Sequence, residues 1–238
     1  AEGCDHVRFF PLRLFNPRVD TPSSLRADLE AGRFLGLKPY PDFVGKADVN
    51  EVEIHEMLPT WCMAIADAMG LIVMLHIPRR GRLADPVNQR QLVELARAYP
   101  GARIVVAHIG RAYFLKNVVG QLEALAAWPN LYFDLAMLNH PEVLAYTFEK
   151  IPQDRLLYGS DIPIALAPGK SVEINDQYTY VTPVPWKLSI SDDHGKLKFT
   201  SFLNEQLRAI RKAVERVGLD REFVEKLFFD NGMTLLGG

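Results

Sequence analysis

Three residues that can bind a metal ion or transfer a proton each end a short apolar run of this sequence. His76 ends LIVMLH, His108 ends RIVVAH and Asp161 ends LLYGSD. Runs of this length are typical of buried strands, and the carboxyl ends of parallel strands open onto one face of a barrel. We therefore expect the three side chains to lie within roughly 8 Å of one another on that face.

Convergence of these side chains predicts a metal site. Side chains alternate along a strand, so His108 is expected to share the barrel-axis face with Val106 and Ile104, and the other two residues follow the same rule. A polar group inside an apolar barrel costs roughly 2 to 7 kcal/mol unless it is satisfied, and a metal ion satisfies imidazole and carboxylate together. Either histidine alone could instead be a core residue bonded to a carbonyl group, but three such positions favour a site.

The segments that would position these residues follow the pattern of βα units around a parallel sheet. Apolar runs rich in Val, Ile, Leu and Phe alternate with stretches of helical periodicity, which is typical of the α/β class. Strands are predicted at residues 7–15, 33–40, 71–78, 103–110, 131–138 and 155–163. Helices are predicted at residues 51–69, 88–99, 202–217 and 221–228.

The pattern changes after Pro163. Residues 164–201 contain several prolines together with Tyr178, Tyr180 and Trp186, and they show no helical period. A hairpin is predicted over residues 188–199, because alternating runs flank a turn-forming Asp-Asp-His-Gly sequence. We therefore expect one barrel domain over residues 1–238 with a loop and hairpin insertion at about 164–201. Together with Tyr40, these aromatic residues could form a lid over an apolar or aromatic substrate, or simply pack on the barrel itself.

Composition favours a small-molecule substrate. The chain has 27 Lys and Arg against 29 Asp and Glu, a formal charge of −2, so it has no broad field that would attract nucleic acid or an anionic membrane. No apolar run approaches the roughly 18 residues that span a bilayer. We expect a cytoplasmic protein with no nucleic-acid or membrane partner, and a homo-oligomer is compatible with these features.

Several strings, taken in order, resemble the amidohydrolase superfamily. The closest likeness is to its amidohydrolase-2 branch of metal-dependent hydrolases and nonoxidative decarboxylases, and it extends over nearly the whole chain from about Val7. The strings are LGLKPYP, LIVMLHIP, VAHIGR, NLYFDLA, RLLYGSDIP and FFDNGMTLLG. GSD followed by Ile-Pro is the most specific of them.

The resemblance implies a (β/α)₈ TIM barrel in which the first two βα units are absent from this chain. The superfamily's first strand carries a His-x-His or Glu-x-His pair of metal ligands, and none of the strands predicted here ends in such a pair. His6 precedes a run that is similar to the family's third strand. Closure of a barrel needs eight strands, whereas six are found here.

The resemblance also implies roles for individual residues. His76 is similar to a metal ligand of the fifth strand, and Asp161 to an aspartate that holds metal and its water. His108 is similar to a residue that is either a second-metal ligand or a catalytic acid/base. Lys38 falls where some relatives carry a carboxylated, metal-bridging lysine, although steering of an anionic substrate or pairing with Asp42 would also explain it.

Four residues are expected to bind substrate: Lys38, Tyr40, Arg79 and Arg111. Each arginine follows a strand-end histidine by three positions, so it should lie in a loop on the same face, where a guanidinium can hold a carboxylate through two hydrogen bonds. Simple solvation of these arginines is the alternative.

Three functions remain open at this point. The first is a hydrolase in which a divalent metal, zinc or else manganese, activates water for attack on an amide, ester or lactone of a small carboxylated or aromatic substrate. The second is a metal-dependent nonoxidative decarboxylase of an aromatic or unsaturated acid. The third is a metal-free barrel that binds a ligand without turnover, which the missing ligand pair suggests.

Overall fold

The main sheet is parallel and open. The computed structural model describes residues 9–175, 177–186, 189–191 and 194–237. Its six sheet strands are Leu12–Phe15 (β1), Gly36–Pro39 (β2), Ile72–Leu75 (β3), Arg103–Val106 (β4), Leu131–Asp134 (β5) and Leu156–Leu157 (β6). They lie side by side in chain order, and β1 does not pair with β6. Each predicted strand contains one of them, and the arc they form is six eighths of a TIM barrel.

Helices follow most of the strands. They are Pro22–Gly32 (α1), Ile54–Met57 (α2), Thr60–Ala68 (α3), Pro86–Ala98 (α4), His108–Arg111 (α5), Glu123–Ala126 (α6), Pro141–Lys150 (α7), Phe202–Val217 (α8), Arg221–Glu225 (α9) and Asn231–Leu236 (α10), with a π-helical stretch at Lys226–Asp230. In the described part of the chain, no helix is long and apolar enough to cross a membrane.

The single helix predicted at residues 51–69 is wrong. A 3-10 turn at Val49–Glu51 is followed by two separate helices, α2 and α3. Pro59 stands between them as the residue before the first turn of α3. Proline has no backbone N–H and clashes with the preceding turn, so the apolar periodicity continues through a point where the helix itself cannot.

Two apolar clusters lie on the two faces of the sheet. Ile104 and Val106 belong to the large core between the sheet and its helices. Val105, by contrast, packs with Ile72 and Leu157 on the barrel-axis face, where Leu235 of α10 covers them. His108 lines the cavity on the axis side as predicted, but the prediction that it shares this face with Val106 and Ile104 is wrong, because those two residues point away from the axis.

The insertion after Pro163 forms a small second sheet. Lys170–Ile174 (β7) and Gln177–Thr182 (β8) pair as an antiparallel hairpin, and Ser189–Ser191 (β9) runs parallel to β8. The hairpin predicted over residues 188–199 is thus displaced: its first run pairs with β8, and residues 196–199, which are described, form no strand. Leu188, Asp192 and Asp193, which belong to that prediction, lie outside the described residues.

Candidate functional site

His76 lies directly beyond β3 in an aromatic environment. Its ring stacks on Tyr40 at 4.9 Å between centroids and meets the ring of His108 edge-on at 5.2 Å. Burial, followed by the charges of His108, Lys38 and Arg111, lowers the pKa of His76 from 6.5 to about 3. The imidazole is therefore neutral at physiological pH and keeps a nitrogen lone pair for a ligand.

His108 reaches the site through a turn that strand alternation does not foresee. Its φ is 55°, and Ile109 and Gly110 follow at 48° and 62°. The left-handed region is unfavourable for a residue with a Cβ, so the turn needs outside support. Asp134 supplies it, because its Oδ1 accepts the backbone N–H of His108 at 3.1 Å and of Ala136 at 2.8 Å.

The ring of His108 is oriented by a second hydrogen bond. Its Nδ1 lies 3.0 Å from the carbonyl oxygen of Ala136, which can only accept, so Nδ1 carries the hydrogen. In the neutral ring this leaves Nε2 without a proton. Nε2 lies 4.0 Å from Oδ2 of Asp161. That distance is too long for a hydrogen bond, but it allows both groups to act on one bound molecule.

Asp161 completes the convergence that the strand ends predict. It follows β6 with a φ of 58°, and its side chain is 35% exposed against 8% for His108. Asp161, His76 and His108 all line an inner cavity of about 310 Å³ that Lys38 also lines. The same three residues line an outer cavity of about 540 Å³. They therefore form the boundary between the barrel axis and the mouth of the site.

Lys38 and Tyr40 approach His76 from β2 and its end. The Nζ of Lys38 lies 5.6 Å from the centre of the Tyr40 ring. The structure describes both Lys38 and Asp42 and records no ion pair between them. Tyr40 lines the outer cavity, on the side where it also stacks on His76. Lys38 thus lines the inner cavity and Tyr40 the outer one, and His76 borders both.

The two arginines predicted to bind substrate differ in their ion-pair partners. Arg79 and Arg111 both line the outer cavity. The Nε of Arg79 donates to Asp85 at 2.9 Å, and Asp85 also caps α4 by accepting the backbone N–H of Val87. No carboxylate pairs with Arg111 within the residues that the structure describes. Arg111 is therefore the better placed of the two to bind an anionic substrate.

Arg82 joins the site to the insertion, and nothing in the sequence pattern marks it. Its guanidinium carbon lies 4.4 Å from the ring centre of Tyr178 and 5.7 Å from that of Tyr113. Burial, and next the charge of Arg111, lower the pKa of Arg82 below its usual value. Its Nη1 is buried without a hydrogen-bond partner among the described residues.

The aromatic residues of the insertion that were predicted to form a lid contact two different parts of the structure. Tyr178 contacts Tyr113 at 4.8 Å between ring centres, and Tyr113 lines the outer cavity. Tyr180 and Trp186 instead pack on Phe202 of α8, at 5.3 and 5.5 Å. Tyr178 therefore supports Tyr113 from behind the outer cavity, whereas the other two anchor the insertion to the barrel.

Asp134 is a further site residue that the sequence pattern did not single out. It is 6% exposed, lines the inner cavity and supports the backbone of His108. The signal that could have found it was present, because Asp134 ends the apolar run LYFD as Asp161 ends its own.

The imidazole and carboxylate groups of the site could supply some of the ligands of a metal ion. His76 has an Nδ1 that is buried without a hydrogen-bond partner among the described residues, and the Nε2 of His108 and the carboxylate of Asp161 face the same space. Within the described ranges, however, no group of three or more His, Cys, Asp or Glu is close enough to enclose an ion. A catalytic zinc ordinarily takes three protein ligands and a water. These residues therefore fit as contributors to a metal site rather than as a complete one.

Solved structures with the same fold bind or convert small molecules. An amidohydrolase from Burkholderia multivorans with bound zinc is 14% identical, with a TM-score of 0.60, over 98% of this chain and 75% of its own. A 4-oxalomesaconate hydratase from Rhodopseudomonas palustris is 16% identical, with a TM-score of 0.58, over 96% of this chain and 66% of its own. A 5-carboxyvanillate decarboxylase from Sphingomonas paucimobilis is 14% identical, with a TM-score of 0.55, over 98% and 68%.

Those identities show a shared fold and leave the reaction open. No curated protein matches the sequence significantly. A model of the amidohydrolase family, Amidohydro_2, matches residues 4–237, which is nearly the whole sequence. The parallel sheet, with its strands in chain order, is consistent with this match. The chain belongs to the amidohydrolase family.

Proposed function

We propose that this chain forms the active-site face of a metal-dependent hydrolase of small carboxylated substrates. One observation carries the proposal. His76, held neutral by burial and with an unpartnered buried nitrogen, lies beside His108 and Asp161 where three strands end. A core histidine that served only packing would be expected to satisfy that nitrogen with a neighbouring carbonyl group.

His76 and Asp161 are the residues that would hold the metal, with His108 as a further ligand if the site takes two ions. Zinc suits a site of imidazole and carboxylate ligands, and manganese is the alternative. When bound, such an ion lowers the pKa of its water toward about 7. The zinc found in the Burkholderia neighbour supports this choice of metal.

The side chains of this site have distinct tasks in the proposed hydrolysis. Asp161 would accept a proton from the attacking water. His108, with its ring protonated at both nitrogens, would deliver the Nε2 proton to the leaving group while Nδ1 stays bonded to the carbonyl oxygen of Ala136, and the proton taken up by Asp161 would restore it. With 4.0 Å between Nε2 of His108 and Oδ2 of Asp161, both atoms could contact the same small reacting group from one side.

Substrate recognition is assigned to the cationic and aromatic groups around the histidines. Arg111 and Lys38 flank the site from opposite sides, in the outer and inner cavities respectively. An anionic group bound between them would lie close to His76. The ring of Tyr40 offers a flat wall beside the same position. A small substrate with a carboxylate and a planar or apolar body matches these groups.

Decarboxylation is the second candidate, and the same cations favour it. A substrate carboxylate near Arg111 would stand beside His108, whose ring, when protonated at both nitrogens, could pass the Nε2 proton to the adjoining carbon as CO₂ leaves. The rings of Tyr40 and Tyr113, which both line the outer cavity, would suit an aromatic acid. Hydrolysis remains the proposal because Asp161 is positioned to activate a water.

The test is a substrate panel with two readouts. Small carboxylated amides, esters and lactones are assayed for acid release, and aromatic acids for CO₂, before and after chelation and with zinc or manganese restored. We expect hydrolysis that chelation abolishes and metal restores, and a loss of about 10²–10⁴-fold in His108→Ala. Release of CO₂ alone would move the assignment to decarboxylation. Ligand binding without turnover, unaffected by chelation, would refute both and favour a binding protein.

A further inference from the structure

Gln206 is a fully buried amide that joins α8 to the ends of two sheet strands. Its Nε2 donates to the carbonyl oxygens of Leu135, at 3.0 Å, and Gly159, at 2.7 Å. Its Oε1 accepts the backbone N–H of Met137 at 3.2 Å. The side chain has no solvent exposure. One amide thus bonds to three backbone groups in the segments that follow β5 and β6.

Those two segments carry the site's proton-transfer groups. Ala136 stands between Leu135 and Met137, the two residues beyond β5 that Gln206 binds, and its carbonyl oxygen accepts from Nδ1 of His108. Gly159 lies two residues before Asp161. We infer that Gln206 is a positioning residue that fixes the ring of His108 and the carboxylate of Asp161 relative to each other. The functional meaning of that pair rests on the proposed hydrolysis, whereas the positioning itself does not.

Close packing couples the two segments further. A Cβ placed on Gly159 would lie 3.3 Å from Cβ of Ala136 and 3.4 Å from Oδ1 of Asp134. The space between the two segments is therefore too tight for a methyl group at position 159 unless its neighbours shift by a few tenths of an ångström. A shift of the Ala136 carbonyl would move the bond to His108, and there is little space for the second segment to compensate.

Only an amide can make this set of bonds. Gln206 uses two donors and one acceptor, so Gln206→Leu leaves the carbonyl oxygen of Gly159 and the N–H of Met137 without these partners, and the carbonyl oxygen of Leu135 with the N–H of Leu138 alone. Gln206→Glu keeps the acceptor for Met137, but its ionised form has no hydrogen to donate to Leu135 or Gly159. The two variants therefore separate complete loss of the contact from loss of its donors alone.

The experiment measures the ring tautomer of His108 in the full chain. Protein labelled with ¹⁵N in histidine is examined by long-range ¹H–¹⁵N spectra near neutral pH, with and without chelation, and a His108→Gln variant assigns the signal. Asn130→Ala is the matched control. Asn130 is a buried amide that donates to the carbonyl oxygens of Ala96, Tyr99 and Ala102, at the opposite end of β5.

In the wild type we expect one His108 tautomer, with the hydrogen on Nδ1. Gln206→Leu should give mixed tautomers or an exchange-broadened signal after chelation, Gln206→Glu an intermediate spectrum, and Asn130→Ala the wild-type spectrum despite a similar loss of thermal stability. If Gln206→Leu does not fold, Gln206→Glu decides on the same criterion. A single unchanged Nδ1–H tautomer in the folded Gln206 variants would overturn the inference. That result would leave the metal-dependent hydrolysis untouched, because no substrate enters the measurement.

Discussion

Acid should destabilise this protein through His76 well above the pH at which its carboxylates titrate. The pKa of His76 falls from 6.5 to about 3 on folding, chiefly because of burial. The unfolded chain therefore binds the proton more readily than the folded one. The contribution of His76 to the free energy of unfolding is therefore complete above about pH 6.5. It is lost as the pH falls from 6.5 towards the pKa of about 3 that His76 has in the folded protein.

The size of this loss follows from the two pKa values. With 1.36 kcal/mol per pKa unit, lowering the pH from about 7 to about 5 should reduce the free energy of unfolding by about 2 kcal/mol through His76 alone. Carboxyl groups whose pKa values are lowered by folding, such as Asp20 and Glu56, start from 3.8 and 4.5 and act mainly below this window.

The assay compares urea unfolding of the wild type, His76→Phe and His76→Gln at the two pH values, with a chelator present to remove any metal. Phe can keep the stacking on Tyr40, whereas Gln keeps polarity, but neither titrates. Between about pH 7 and about pH 5, the free energy of unfolding of both variants should fall by about 2 kcal/mol less than that of the wild type. Parallel losses in all three proteins would refute the burial argument for His76, whatever their absolute stabilities.

Further variants test the other parts of the site. Asp134→Leu should lower the free energy of unfolding by about 1–3 kcal/mol, because it leaves the buried N–H groups of His108 and Ala136 unpaired; a neutral effect in chemical denaturation would contradict this. Arg111→Ala should raise KM for a carboxylated substrate roughly tenfold or more with little change in unfolding. Arg79→Ala should instead reduce stability by up to about 1 kcal/mol through the lost pair with Asp85, and the reverse pattern in the two arginine variants would show their assignments exchanged.

The sequence predicted the sheet well because its signal is local. Buried parallel strands appear as short apolar runs, and each of the six runs contains a strand of the sheet. The same rule placed His76, His108 and Asp161 at one end of that sheet. Applied to Asp134, it would have found that residue too. Helix α8 begins and ends at the predicted residues, Phe202 and Val217, because Ser201 caps it and Gly218 terminates it in the left-handed region.

The features that sequence reasoning missed depend on contacts between distant segments. The left-handed turn at His108 is supported by a carboxylate 26 residues away. The stacking of Arg82 on Tyr178 needs the insertion to fold back over the barrel. In the sequence, Gln206 occupies an ordinary polar position of an amphipathic helix. Its role depends on the segments after β5 and β6, which only the folded chain brings beside it. Periodicity describes which face is buried, but it cannot identify the backbone groups that a buried amide will meet.

Metal binding by the purified protein and its site variants tests the central claim most directly. Metal content and zinc affinity would be measured for the wild type, His76→Ala, Asp161→Ala and His108→Ala. We predict bound metal in the wild type, strong loss in the His76 and Asp161 variants, and a smaller loss in the His108 variant, because ligands set affinity whereas an acid/base acts mainly on rate. Equal loss in all three variants would indicate a two-metal site that includes His108. Unchanged zinc affinity in His76→Ala would contradict the account.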